Sequence, residues 1–334
     1  MSHAPKIISE DVAIVNQILP HKNKWAWDLY LKGCSNNWMP TEVSMQKDIT
    51  QWKSNDISDD ERLVVKRCLG FFAGSESLVS NNLLLVILKY IGDAECRTYI
   101  SRQQFEESLH NLTIVYCCDS LGLDIKEVYE AYNTIPAIKA KDDFLMEITR
   151  DIHRKDFDIK TLQGKQELLR NIITYYIVCE GIFFYSGFAM LLSFGRQNKF
   201  PGISEQIQYT LRDESLHIEF GTKLINKIRL ENPEIFSPDF ESETKLHIQK
   251  AVNLEIDYAK DVLPRGILGL NANMFVDYMK YIANRRLSSL HFPELYGKIQ
   301  TPFPWLSEII DLSKQKNFFE TRVTEYQTGI ADDF

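Results

Sequence analysis

Apolar residues recur every three or four positions through most of this chain, the spacing of helices that bury one face. The pattern predicts long helices near 58–91, 94–121, 124–131, 164–195, 202–231, 239–262 and 270–287. "GLD" (122–124), "NPEIFSPDF" (232–240) and "GLNAN" (269–273) supply the breaks and capping residues between them. No segment shows convincing strand alternation, so the expected class is all-α. Residues 1–56 read as irregular with short helices, rich in aromatics (Trp25, Trp27, Trp38, Trp52). This segment is expected to pack on a single helical domain ending near residue 316. Past about 300 the periodicity decays through Pro302 and Pro304, and 317–334 is expected to be a flexible tail.

One stretch departs from the amphipathic rule. Arg170 and Arg196 enclose 25 residues with a single charge, Glu180. Its length would suit a membrane span, but the polar chain around it favours a helix buried in a large soluble core. Glu180 then needs a partner, because an isolated buried carboxylate is strongly disfavoured. Three other acids share the problem. Glu76 falls in line with Val65, Cys68, Leu69, Phe72, Val79 and Leu83; Glu107 heads the stripe His110, Ile114, Cys117 and Leu121. Glu180 lies between Tyr176 and Phe184, Gly187 and Leu191, and Glu214 between Ile207, Leu211 and His217, Gly221, Ile225.

The spacing indicates a metal. Glu107-x-x-His110 and Glu214-x-x-His217 each place two ligands on one helix face. Glu76 precedes the first pair by 31 residues and Glu180 the second by 34, so one pattern occurs twice. This is the ligand arrangement of di-iron and di-manganese carboxylate proteins built on a ferritin-like four-helix bundle. Four carboxylates would offset two divalent ions, and oxygen and imidazole donors without thiolate suit iron or manganese. The six residues are expected to surround two metal positions about 3.5–4 Å apart.

Composition narrows the function. The chain's 46 acidic and 38 basic residues give a net charge of −8, which disfavours nucleic acid and anionic membranes as partners. Six cysteines form no C-x-x-C motif and the N-terminus is polar, the expectation for reduced thiols in a cytoplasmic protein.

Nearly the whole chain resembles the radical-generating small subunit of class I ribonucleotide reductase. The likeness rests on "NNWMPTE" (37–43), "GFFAGSESLV" (70–79), "QFEESLH" (104–110), "CEGIFFYSGF" (179–188), "LRDESLHIEFG" (211–221), "LPRGILGL" (263–270) and "KNFFETRVTEYQ" (316–327). It is nearest the chlamydial-type class Ic branch, which lacks the radical tyrosine. The resemblance implies a homodimer whose dinuclear site, activated by oxygen, stores a one-electron oxidant. That oxidant generates a cysteine radical in a separate large subunit, where ribonucleotides become the deoxyribonucleotides of DNA replication. The usual radical tyrosine lies four residues after the first motif's histidine. Here that position is Ile114, where the chlamydial type usually has Phe, and the first ligand is Glu76 where many relatives have Asp. Both departures imply that the oxidant stays on the metals, a Mn/Fe pair in that branch, with Fe/Fe or Mn/Mn as alternatives. Tyr116, about 200° round the helix from residue 114, is expected to pack or to relay secondarily.

The same resemblance assigns Trp38 and Asp213 to a hydrogen-bonded electron and proton route ending on His110. It assigns Tyr209 to inward electron transfer during activation, Tyr326 to radical relay at the subunit interface, and Phe184 and Phe188 to an apolar oxygen pocket. Ile330 and Phe334 would anchor the tail on the large subunit, with Asp332 and Asp333 at the rim. Two rivals share the fold. A ligand-binding Mn/Fe oxidase would carry a Val–Tyr cross-link where this chain has Leu78 and Tyr175. A ferritin-type storage protein would be roughly half this length.

Overall fold

Local caps set where the long helices begin. Ser58 accepts a hydrogen bond from the Glu61 amide (3.2 Å) while the Glu61 carboxylate takes the Ser58 amide (2.8 Å), the reciprocal cap that starts the helix carrying Glu76. Asp93 caps the next long helix through the Cys96 amide (2.9 Å), and left-handed Gly122 closes it. The buried carboxylate of Asp48 accepts from the amides of Gly202 and Ile203, holding the start of the helix that carries Glu214.

The computed structural model describes residues 6–9, 15–307 and 309. In chain order the main helices are α1 (Lys24–Ser35), α2 (Gln46–Trp52), α3 (Asp59–Asn82), α4 (Ala94–Leu121), α5 (Pro136–His153), α6 (Leu162–Ile172), α7 (Phe184–Arg196), α8 (Pro201–Glu231), α9 (Pro238–Val262) and α10 (Ala272–Ser289). Helix α3 runs on through a π turn at Leu83–Ile87. Between α6 and α7 lies a π-helical stretch, Ile173–Phe183, so the three pieces form one continuous rod. No strand occurs among the described residues, only the isolated bridges Ile8–Ile91 and Ile267–Leu270. The chain is therefore all-α. Helices α3, α4 and α8 and the α6–α7 rod pack against one another as a four-helix core, with α1, α5, α9 and α10 laid around it.

The apolar rod Leu162–Gly195 is long enough to cross a membrane, and its most apolar window is wholly buried inside the bundle. It is apolar all round because neighbours cover every side.

One helix departs from the sequence pattern. Residues 136–153 lie outside the expected helices yet form α5, with Ile138, Leu145 and Ile152 in line on its buried face. Its buried face includes Lys141 and Asp142 beside Ile138, Phe144 and Leu145. Lys141 pairs with Glu255 of α9, which also accepts from the Ser186 hydroxyl. The Lys141 ammonium sits 3.2 Å from the Phe71 ring centre and 4.0 Å from that of Tyr258. Carboxylate and aromatic faces together replace the water this cation gives up. The expected 124–131 helix divides into Ile125–Tyr129 and Ala131–Thr134.

Candidate metal centre

Each core helix contributes to one buried cluster. Glu76 comes from α3, Glu107 and His110 from α4, Glu180 from the π stretch, and Glu214 and His217 from α8; all are at most 1% exposed. The donor atoms form two groups that share Glu107. Glu76, Glu107, His110 and Glu214 make one, and Glu107, Glu180 and His217 the other.

Two carboxylates span the pair. Glu214 lies 3.1 Å from His110 Nδ1 through Oε1 and 3.3 Å from His217 Nδ1 through Oε2. Glu107 lies 3.8 Å from His110 Nδ1 through Oε2 and 3.2 Å from His217 Nδ1 through Oε1. Glu76 Oε2 stands 3.4 Å from His110 Nδ1, and Glu180 Oε2 is 4.0 Å from His217 Nδ1. Both imidazoles thus turn Nδ1 inward to the carboxylates.

The donor set fits metal ions. Glu76 Oε2, Glu107 Oε2, Glu180 Oε2, both oxygens of Glu214 and Nδ1 of both histidines are buried without a hydrogen-bond partner. So many orphaned acceptors in one place are disfavoured unless a cation completes them. No thiolate joins them, so the set suits the harder first-row ions.

Outside the cluster each histidine faces a carboxylate, closely enough for a hydrogen bond at His217 and not at His110. His110 Nε2 faces Asp213 Oδ2 at 3.5 Å, and His217 Nε2 faces Glu106 Oε2 at 2.9 Å. Each orienting acid directly precedes a ligand glutamate on the opposite helix, Asp213 before Glu214 and Glu106 before Glu107. Arg212 Nε lies 3.5 Å from Asp213, and Arg102 Nε lies 2.9 Å from Glu106. The same arginines donate to the Asn36 carbonyl and to Asn37 Oδ1 (3.2 Å), so both arms meet the segment leading into Trp38. Such outer carboxylates fix imidazole tautomer and direction.

A further brace is not legible in the spacing. Gln103 Nε2 donates to Glu180 Oε1 (3.0 Å) and Glu107 Oε1 (3.2 Å), while its own oxygen accepts from the Tyr176 hydroxyl (2.8 Å). Tyr176 reaches it because Gly221 has no side chain; a Cβ there would fall 2.3 Å from the Tyr176 ring. Phe72, Phe184 and Phe188 form an aromatic group beside Glu76 and Glu180, with ring centres 5.3–6.1 Å apart. Gly187 lets Phe72 approach, since a Cβ would stand 2.7 Å from its Cζ.

Trp38 is buried and donates Nε1–H to Asp213 Oδ2 at 2.8 Å. Tyr209 packs on Trp38 with ring centres 5.1 Å apart, and Arg212 lies over the Tyr209 ring. Ile114 is buried among apolar neighbours, and Tyr116 donates to the Val43 carbonyl (3.2 Å). Tyr326, Ile330, Asp332, Asp333 and Phe334 lie outside the described residues.

The charges explain how the cluster stands without metal. Burial, reinforced for Glu180 by the neighbouring Glu214 and Glu107 charges, raises the carboxyls of Glu76 and Glu180 well above the ordinary range. Burial opposes protonation of both histidines, but the carboxylates around them outweigh it and raise them well above normal. Burial also acts to raise Glu107, yet His217 and His110 hold it below the usual range. The metal-free cluster therefore retains protons at neutral pH that ligands must shed. Metal loading near pH 7 is expected to release protons, with affinity rising as pH rises. Calorimetry of Mn²⁺ or Fe²⁺ binding in buffers of different ionisation enthalpy measures the number released; a value near zero would contradict this charge state.

A ferritin-like helical bundle whose core helices each present an inward carboxylate, with two histidines, defines a carboxylate protein able to hold metal in its interior. The family model for the ribonucleotide reductase small chain matches residues 15–302. This chain belongs to that family. It is 55% identical over 315 residues to the ribonucleoside-diphosphate reductase subunit beta of Chlamydia pneumoniae, covering 94% of this chain and 91% of that one. It is 29% identical over 304 residues to a ribonucleoside-diphosphate reductase small subunit of Arabidopsis thaliana, covering 90% and 84%. Among solved structures, the ribonucleotide reductase R2 subunit from Clostridium botulinum superposes with a TM-score of 0.84 at 28% identity, covering 92% of this chain and 94% of that one.

Proposed function

We propose that this chain is the radical-generating small subunit of a class I ribonucleotide reductase that keeps its oxidising equivalent on a Mn/Fe pair. The observation that carries the reading is the line of contacts Tyr209–Trp38–Asp213–His110, from the outer part of α8 to the buried cluster, in which Asp213 accepts from Trp38 and faces His110 at 3.5 Å. Glu76, Glu107, His110, Glu180, Glu214 and His217 would hold the metals. When bound, that pair supplies, with oxygen, a stored one-electron oxidant.

The chain's own residues give the oxidant an address. Phe72, Phe184 and Phe188 keep water from the cluster's apolar side. Asp213 accepts from Trp38 Nε1 and faces His110 Nε2, so a proton and an electron can move along one line. Tyr209 extends that line outward, and Tyr326 would continue it into the large subunit, docked through Ile330 and Phe334. Ile114 cannot form a phenoxyl radical, and Tyr116 is turned to the Val43 carbonyl, which supports an oxidant held on metal. Phe105, Leu112 and Val115 of α4 form an exposed apolar row near exposed Leu84 and Leu85, a face suited to a homodimer. Six unpaired cysteines agree with a cytoplasmic setting.

The oxidase alternative is less well supported. Leu78 replaces the valine of the cross-link, and the Tyr175 hydroxyl is engaged with Thr149 Oγ1 at 2.7 Å.

Deletion of the last ten residues tests the reading. The truncated chain should take up metal normally yet lose more than about tenfold of its deoxyribonucleotide production with the large subunit, because affinity rests on a few anchors. Failure of the full-length chain to support any nucleotide reduction would overturn the assignment.

A further inference from the structure

A cavity of about 330 Å³ opens beside the relay, and its lining is basic in an otherwise acidic protein. Five cations reach it, Lys32 from α1, Arg212 and Lys223 from α8, and Arg285 and Arg286 from α10, against the single carboxylate Glu219. Arg212 is taken up with Asp213 and Lys223 with Glu219 (2.7 Å). Lys32, Arg285 and Arg286 have no carboxylate partner among the described residues. Arg286 donates Nε–H to the Gly181 carbonyl (2.8 Å) but keeps its full charge, so three cations without a carboxylate stand in one concavity, and on a chain of net charge −8 they make a local positive field that favours acidic groups.

We propose that this pocket is the docking site for an acidic segment of the large subunit, additional to the contact made by the C-terminal tail. The proposal rests on the small-subunit reading above. Three observations select that occupant. First, Arg212 lines the pocket and also touches Asp213 and covers Tyr209, so a partner seated here lies against the outer end of the relay. Second, the pocket is rimmed by the C-terminal ends of α1 and α10, through Lys32 and Asn36 and through Arg285, Arg286 and Ser289. At those ends carbonyls rather than amides face outward and offset part of the positive charge, so an anion here is held by long side chains alone, Arg and Lys heads that pair with carboxylates of a protein surface. Third, the one aromatic face in the lining, Tyr185, is already covered by Arg286 at 4.6 Å, leaving no ring for a nucleotide base to stack on. Elsewhere an acidic partner meets a predominantly acidic chain, so the pocket would set orientation as well as contact.

The test is the double variant Lys32→Glu/Arg285→Glu in the full-length, metal-loaded protein, with Lys32→Gln/Arg285→Gln as a milder companion. Affinity for the large subunit is measured across a salt series, alongside bound metal and helical circular dichroism. Wild type should weaken steeply with salt. The charge-reversed protein should bind more than about tenfold more weakly at low salt and depend less on salt, and the Gln pair should fall between. Metal content should be unchanged in both. Wild-type affinity and salt dependence in the reversed protein would overturn the pocket while leaving the small-subunit reading intact, since wild type still binds. No binding by wild type would remove both. Tighter binding by the reversed protein would assign the pocket to the chain's own acidic end and overturn the proposal. So would thermal stabilisation of wild type by ATP that the reversal abolishes while large-subunit affinity holds.

Discussion

Trp38→Phe is expected to lower turnover with the large subunit by at least about a hundredfold, roughly 2.7 kcal/mol on the barrier, while leaving metal uptake within about twofold of wild type. The ring is buried, and phenylalanine fills most of its space. What disappears is the indole N–H that donates to Asp213 Oδ2 and the readily oxidised ring beside Tyr209. Asp213→Asn separates the two roles. It keeps the shape but replaces a carboxylate that accepts from Trp38 and faces His110 with a group that cannot take up a proton there. Each variant is measured for bound metal, for nucleotide reduction with excess large subunit, and for affinity to that subunit. Wild-type rates in both variants would remove the relay, whatever the metal site does.

Glu180→Gln should produce opposite changes in metal binding and in metal-free stability. Glu180 faces the charges of Glu214 and Glu107 from a fully buried position, and its Oε2 has no hydrogen-bond partner. Glutamine preserves an acceptor for Gln103 and removes the like charge. Metal affinity should fall at least tenfold, about the lower end of what losing even an outer partner costs. The metal-free protein should gain about 1–3 kcal/mol at neutral pH. The sign with pH follows from the raised carboxyl. A folded-state value above the unfolded one leaves wild type unaffected below about pH 4.5 and progressively destabilised above it. The advantage of the variant should therefore be absent in acid and grow as pH rises. His110 and His217, raised in the folded state, are present in both proteins, and their stabilisation, full below the unfolded value and lost as pH rises through the folded one, gives both curves a shared decline rather than widening the difference. Thermal denaturation of metal-free wild type and variant from pH 4 to 8 checks this. Equal stability across the range would mean that the cluster carries no stored repulsion.

Much of the centre is legible in the sequence because a helix that buries one face exposes any acid placed on that face. Glu76, Glu107, Glu180 and Glu214 stand out for that reason, and the two three-residue spacings add the histidines. Glu106 hides beside Glu107, although the doubled acid in "FEESLH" mirrors Asp213–Glu214 in "RDESLH". Tyr176 falls in the Glu180 stripe and Gln103 lies one turn before Glu107, but a neutral side chain in an apolar stripe raises no charge to be explained, so their hydrogen bonds to the cluster appear only in the structure. In helix α5 the apolar positions Ile138, Leu145 and Ile152 recur at helical spacing, but the burial of Lys141 depends on Glu255, a compensation between residues distant in sequence. The basic pocket is likewise assembled from distant elements, and no local run of charge announces it.

The proposed function requires this cluster to store the oxidant on metal rather than on a tyrosine. Electron paramagnetic resonance on oxygen-exposed protein, loaded with graded ratios of manganese and iron and assayed in parallel for nucleotide reduction, tests it most directly. Activity should track bound manganese together with iron, and no tyrosyl signal should appear. A sharp tyrosyl signal with full activity from iron alone would contradict it and make Tyr116 the residue to examine.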